Sequence, residues 1–248
     1  MADNFSYRKS YSSSPYIRHE KKKFKLKISS TLLFIILNVF IFIIQVIIDF
    51  YTQTQNSPGF FTRTFALLPQ DIIQGRNLWS LITNMFLHGS IFHIAANMLS
   101  LMFVGSFLEK LIGKKRFTFL YLISGIVASL FFVFLSLAFG SNSLGSRIFG
   151  SPDALALGAS GAIFGLAGAL MIITPKVKVY VMFIPIAMPL WLGMLIMLLG
   201  LWIISFGLDL SVGNSAHFGG FLSGIVYGLY LRQKHKRKIQ MLGRMFSN

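Results

Sequence analysis

An all-α, polytopic membrane protein with six transmembrane helices is the fold class this sequence predicts, and three observations predict it. The 248 residues are 54% apolar and only 12% charged, about half the charged fraction that covers the surface of a soluble domain. Mean hydropathy is +0.68, and it is carried by runs of about 20 residues, the length that crosses a bilayer. All but three of the 23 Lys and Arg fall in the two tails and in alternate connections. That is the asymmetry expected of cytoplasmic segments.

The apolar runs place the spans at residues 28–50, 91–111, 117–139, 160–174, 179–205 and 216–231. Residues 51–90 carry apolar and aromatic residues in short bursts such as "FALL" and "NLWSLIT", a pattern suited to interfacial half-helices. Residues 1–27 and 232–248 read as basic cytoplasmic tails, the first disordered and lying on anionic headgroups. Between them, 28–231 form one domain with no internal repeat. The N-terminal stretch does not read as a secretory signal, because it is polar and basic to Lys27 and the apolar run that follows is too long. With Arg63, Arg76 and Arg147 alone on the opposite side, both termini are expected in the cytoplasm.

Composition also removes functions. There is no cysteine, so disulfides, thiolate nucleophiles and cysteine-based metal sites are excluded. The net charge of +16 sits beside apolar runs, which points to headgroups and not to nucleic acid as the partner.

Few groups in the apolar block can move a proton. Asp49, Glu109 and Asp209 fall at span ends, and His19 and His235 in the tails. His88, His93 and His217 fall at the outer ends of spans two and six, where ionisable groups are costly and usually functional. Counting back at 1.5 Å per residue from Lys176, Arg232 and Lys110 puts Ser160, His217 and His93 about 24, 22 and 25 Å above the cytoplasmic boundary. Three polar side chains on three helices thus reach one depth. Span four is then too short to cross alone, so the loop before it must descend into the protein, which is tolerated only against protein or a water-filled cavity.

In "GASGAIFG" the serine opens a helix, where free backbone N–H groups and the helix dipole favour a developing oxyanion. Gly158, Ala159 and Gly161 keep bulk away from it. Taken alone, the octapeptide reads more readily as an ordinary serine N-cap. His217 shares a helical face with Gly220, Gly224 and Gly228, and span four carries Gly161, Gly165 and Gly168. Two such faces can pack closely, which would bring the imidazole to the hydroxyl. A hydrogen-bonded core histidine is the alternative. In "HGSIFHIAANM", His93 and Asn97 share one face; they could donate to an oxyanion or simply bond between helices. His88 reads as structural, bonding loop backbone.

Together "HGSIFHIAANM", "GASGAIFG" and "SAHFGGFLSG", in order on spans two, four and six, closely resemble the rhomboid intramembrane serine proteases. The resemblance implies a rhomboid-like bundle and a Ser–His dyad without a third acid: Ser160 as nucleophile and His217 as base. It implies an oxyanion hole from His93, Asn97 and the Ser160 N–H, and a structural role for Glu109. It implies cleavage of the transmembrane segments of other membrane proteins near their outer ends, with no cofactor and no metal. Departures are Ser80 after Trp79 where many members have arginine, Asn84 where some have histidine, and Phe164 where others have tyrosine against the catalytic histidine. None of the three replaces Ser160 or His217. A helical HExxH motif for a metalloprotease and a facing aspartate pair for an aspartyl protease are both missing, and a His88–His93–His217 metal site lacks carboxylate or thiolate support. A transporter would want carboxylates along a through-path, whereas the polar groups here are confined to one half.

Overall fold

The computed structural model describes residues 28–55, 57–181, 184–207, 213–237, 239 and 241. The tail expected over 1–27, with His19, lies outside them, as do Asp209 and most of the tail beyond Arg237.

The first long helix, α1 (Ser30–Thr52), is capped by Ser29, whose Oγ accepts from the Leu32 N–H at 3.1 Å. The Glu109 carboxylate satisfies three further donors there: the Ser30 N–H at 2.8 Å, the Thr31 N–H at 2.9 Å and the Thr31 hydroxyl at 2.7 Å. Unpaired N–H groups at a helix start favour negative charge, so Glu109 ties the second long helix to the first. Glu109→Ala should strand those donors and cost about 1–3 kcal/mol. Its midpoint in a detergent unfolding titration should fall accordingly, and an unchanged midpoint would refute the role.

Short helices α2 (Phe60–Phe65), α3 (Pro69–Ile73) and α4 (Ser80–Thr83) follow, in the place where half-helices are expected. Asp49 caps α2, accepting the Phe61 N–H at 2.8 Å and the Thr62 N–H at 3.2 Å. Arg76 pairs with Asp71 at 2.6 Å on the surface between α3 and α4, and this hydrogen-bonded guanidinium holds the Asp71 carboxyl below its ordinary value. The second long helix runs from Ile91 to Ile112. It comprises α5 (Ile91–Ser100), a widened turn over Leu101–Gly105, and α6 (Ser106–Ile112). After Gly113, whose φ of +85° suits glycine, comes α7 (Lys114–Phe139), followed by the short surface helix α8 (Ser143–Phe149).

The centre of the bundle is α9 (Ser160–Ile173), buried at every residue from Gly161 to Leu170. It is walled by α7 and by α11 (Asn214–Lys234), with α10 (Leu190–Gly207) at the edge. Large apolar side chains of α1 and α10, Phe40 and Ile203 among them, face outward, as expected against lipid. Four helices among the described residues are long and apolar enough to cross a membrane: Ser30–Thr52, Ile91–Ile112, Lys114–Phe139 and Leu190–Gly207. α9, with 14 residues, rises only about 21 Å.

Two expectations need correction. A fifth helical span over 179–205 is not what forms: Lys178–Val181 and Ile184–Pro189 pair as antiparallel strands, and the helix begins only at Leu190. Val179, Tyr180 and Ile186 suit a pleated backbone, while Pro185 and Pro189 cannot sit inside a helix. The fold is therefore mostly helical and not strictly all-α. The last helix also outruns its expected end at 231, continuing through Arg232 to Lys234, where cations complement its C-terminal dipole.

Candidate active site

The backbone of the loop before α9 is paired with neighbouring segments. The Leu67 N–H donates to the Ala156 carbonyl at 2.9 Å and the Ala156 N–H to the Leu67 carbonyl at 2.8 Å. The Gly158 N–H donates to the Asn84 carbonyl at 2.9 Å. Asn84 is itself held by its side-chain amide, which donates to the Ser80 carbonyl and, at 2.8 Å, to Ser129 Oγ on α7. Gly158 has φ +127°, and a Cβ there would lie 2.8 Å from His93 Cε1. Only glycine satisfies both the backbone and the space.

Ser160 opens α9, and its Oγ lies 2.7 Å from His217 Nε2, across 57 residues of sequence. Glycine brings them together. A Cβ at Gly220 would strike the Gly161 carbonyl and one at Gly224 the Gly165 carbonyl, so the backbones of α9 and α11 touch. On the other side of α9, Gly165 packs against Ser124 of α7. The His217 ring is stacked on Phe164, centroids 4.7 Å apart and planes 26° from parallel. Its Nδ1 is buried with no partner among the described residues.

His93 and Asn97 line the same cavity, of about 630 Å³, with Ser160, His217, Met197 and Leu201. The Gly89 N–H approaches His93 Nδ1 at 3.4 Å, which leaves Nε2, on the side facing Gly158, to carry the proton of a neutral imidazole. Asn97 Nδ2 donates to the His93 carbonyl at 2.9 Å, and an amide nitrogen has a second hydrogen to give.

His88 is buried beside His93. Its ring nitrogens bond nothing among the described residues; the ring packs edge-on against Phe42 and lies 5.1 Å from the His93 ring. The main chain is what is held. Gln45 of α1 accepts the His88 N–H and donates to its carbonyl, both at 3.1 Å. Gln45 and the Asn84 carbonyl were not singled out by the sequence reading. Gln45 is one of two amides within "STLLFIILNVFIFIIQVIIDFYT", and that is its signal, since a polar group in an apolar span must find a partner. Glu109 lies at the far end of its helix and takes no part here. Trp79 secures the loop, its indole donating to the Thr64 carbonyl at 2.9 Å, while Ser80 beside it is buried. Among the described residues no three His, Asp or Glu side chains gather as a metal site would need.

Ser160 and His217 thus stand in hydrogen-bond contact at the wall of a cavity inside a largely apolar helical bundle, and no described carboxylate lines that cavity. Residues 75–234 match the rhomboid domain family, and the chain belongs to that family; it is a multi-pass integral membrane protein. It is 36% identical over 169 residues to RHOMBOID-like protein 5 of Arabidopsis thaliana, covering 68% of this chain and 49% of that one. Identity to Rhomboid protein 1, mitochondrial, of Saccharomyces cerevisiae is 30% over 193 residues, 75% and 52% of the two chains. Identity to Rhomboid protease GluP of Bacillus subtilis is 32% over 196 residues, 78% and 33% of the two chains. The chain thus spans a third to about half the length of these curated relatives.

Proposed function

We propose that this protein is an intramembrane serine endopeptidase that cuts the transmembrane segments of other membrane proteins at or near their outer ends. The observation that carries the reading is the 2.7 Å contact between Ser160 Oγ and His217 Nε2 at the wall of a 630 Å³ cavity. With the proton on Nδ1, Nε2 accepts the Ser160 hydroxyl proton as Oγ bonds to the substrate carbonyl carbon. His217 then gives that proton to the departing amine as the C–N bond breaks. Water, deprotonated by the same nitrogen, hydrolyses the acyl ester and restores the serine.

Carbonyl oxygen becomes oxyanion in each step, and three donors support it: the Ser160 N–H at the start of α9, the second N–H of Asn97 and His93 Nε2. Phe164 fixes the plane of the imidazole. Six spans within residues 28–231, with both termini cytoplasmic, complete the proposed topology, and the unit calls for no cofactor or metal. The test is a serine-directed fluorophosphonate applied to detergent-solubilised protein. Labelling of wild type, absent from Ser160→Ala and His217→Ala, supports the dyad; equal labelling of Ser160→Ala ends it.

Asn97→Ala should lower kcat by roughly 10- to 1000-fold with KM little changed, as loss of one oxyanion donor does. Steady-state kinetics on a fluorogenic substrate decide this, and an unaltered kcat would remove Asn97 from the reaction. The substrate must also unwind, because an intact helix shields its carbonyls. Glycine lowers that cost by about 1 kcal/mol and proline by about 3 relative to alanine. Cleavage is therefore expected near the outer membrane boundary, after a small residue, with helix breakers just beyond. Mass spectrometry of the products locates the cut; indifference to replacing the breakers with leucine would contradict the proposal.

A further inference from the structure

At the end of the bundle opposite Ser160, α11 outruns its neighbour. Gly228 still packs on Ala169 and Ile172, but α9 stops at Ile173 while α11 continues to Lys234. Below the end of the shorter helix lies a groove of about 570 Å³. Ile172, Leu229 and Ile239 form its apolar wall, and Arg232, Gln233 and Lys236 its polar edge. Arg232 lies in the last turn of α11 and Lys236 just past its end, and both line the groove. Both are exposed, and neither forms an ion pair with a described carboxylate.

We propose that this groove binds an anionic phospholipid, its phosphate between Arg232 and Lys236 and its acyl chain along Leu229 and Ile172. Leu229 on α11 and Ile172 on α9 precede the end of the bundle, and Arg232 and Lys236 lie in and just past the last turn of α11, so aliphatic wall and cationic edge adjoin in one groove. A free anion would use only the cations, and an uncharged chain only the wall. An amphiphile with net negative charge uses both. A zwitterionic headgroup brings its own cation against Arg232 and Lys236 and loses that advantage. The site lies about 20 Å along α9 from Ser160, so lipid binding stands or falls separately from the protease reading.

The experiment is native mass spectrometry of the full chain released from detergent micelles, titrated with dioleoylphosphatidylglycerol or dioleoylphosphatidylcholine. One phosphatidylglycerol should be retained at least tenfold more tightly than phosphatidylcholine, since each cation near an anionic headgroup is worth about fivefold. The R232Q/K236Q variant should lose that preference, and Leu229→Trp, which fills the apolar wall, should weaken retention of both lipids. K110Q/K115Q, which removes two cations outside the groove, should keep the preference. Equal retention of the two lipids by wild type would overturn the proposal. So would a preference that survives R232Q/K236Q, or a bound lipid displaced by millimolar inorganic phosphate.

Discussion

Replacing Ser160 or His217 with alanine is expected to cut the rate of proteolysis by on the order of 10⁶-fold, and replacing both should cost no more than either alone. Members of a nucleophile–base pair act as a unit, so their losses do not add. Without Ser160 no acyl ester forms; without His217 the hydroxyl keeps its proton. Neither change should disturb the fold greatly, because the α9–α11 contact rests on glycine backbones and not on these side chains. Cleavage of a single-span substrate by the purified variants, with their melting temperatures as the control, measures the effect. Substantial turnover by either variant would remove that residue from the mechanism.

Gly220→Ala should be nearly as damaging by a different route. The new methyl group would meet the Gly161 carbonyl, backbone that cannot turn aside, so α11 must move away from α9. Overpacking of this kind costs about 1–3 kcal/mol, and a displacement of about 1 Å at a reacting group costs on the order of 100-fold in rate. We expect a lowered melting temperature together with at least a hundredfold fall in kcat. Gly200→Ala on α10, where a Cβ meets nothing within 4 Å, should change neither. Full activity in Gly220→Ala would show that the helix contact does not position His217.

The parts of this site legible in the sequence are those written in residue types with few other uses. Glycine at +3, +7 and +11 from His217 announces a close helix contact, and the shared depth of Ser160, His93 and His217 announces what it brings together. A short fourth span announces a descending loop. The partners of that loop were not legible, because Leu67 and Asn84 hold Ala156 and Gly158 through main-chain atoms that every residue possesses. Gln45 could have been read as a polar group in need of a partner, but nothing local says that the partner is the His88 backbone. Hydropathy does not separate the hairpin over 178–189 from a span, because it counts Val179 and Ile186 alike in both. Pro185 and Pro189, which a helix interior does not hold, are the residues that separate the two.

The contact between α9 and α11 has one further consequence. Where a side chain would otherwise stand, the α-hydrogens of Gly220 and Gly224 point at the carbonyl oxygens of Gly161 and Gly165, the arrangement of a carbon-donor hydrogen bond. Each such bond is worth about 0.5–1 kcal/mol, and like any electrostatic contact it strengthens as the local dielectric falls. Ordinary apolar packing gains nothing of this kind when lipid replaces water. A joint made of these contacts is therefore firmest where it is driest, yet its upper end borders the cavity that water would enter in the proposed hydrolysis. Wetting that reached from Ser160 down to Gly165 would loosen Ser160 from His217.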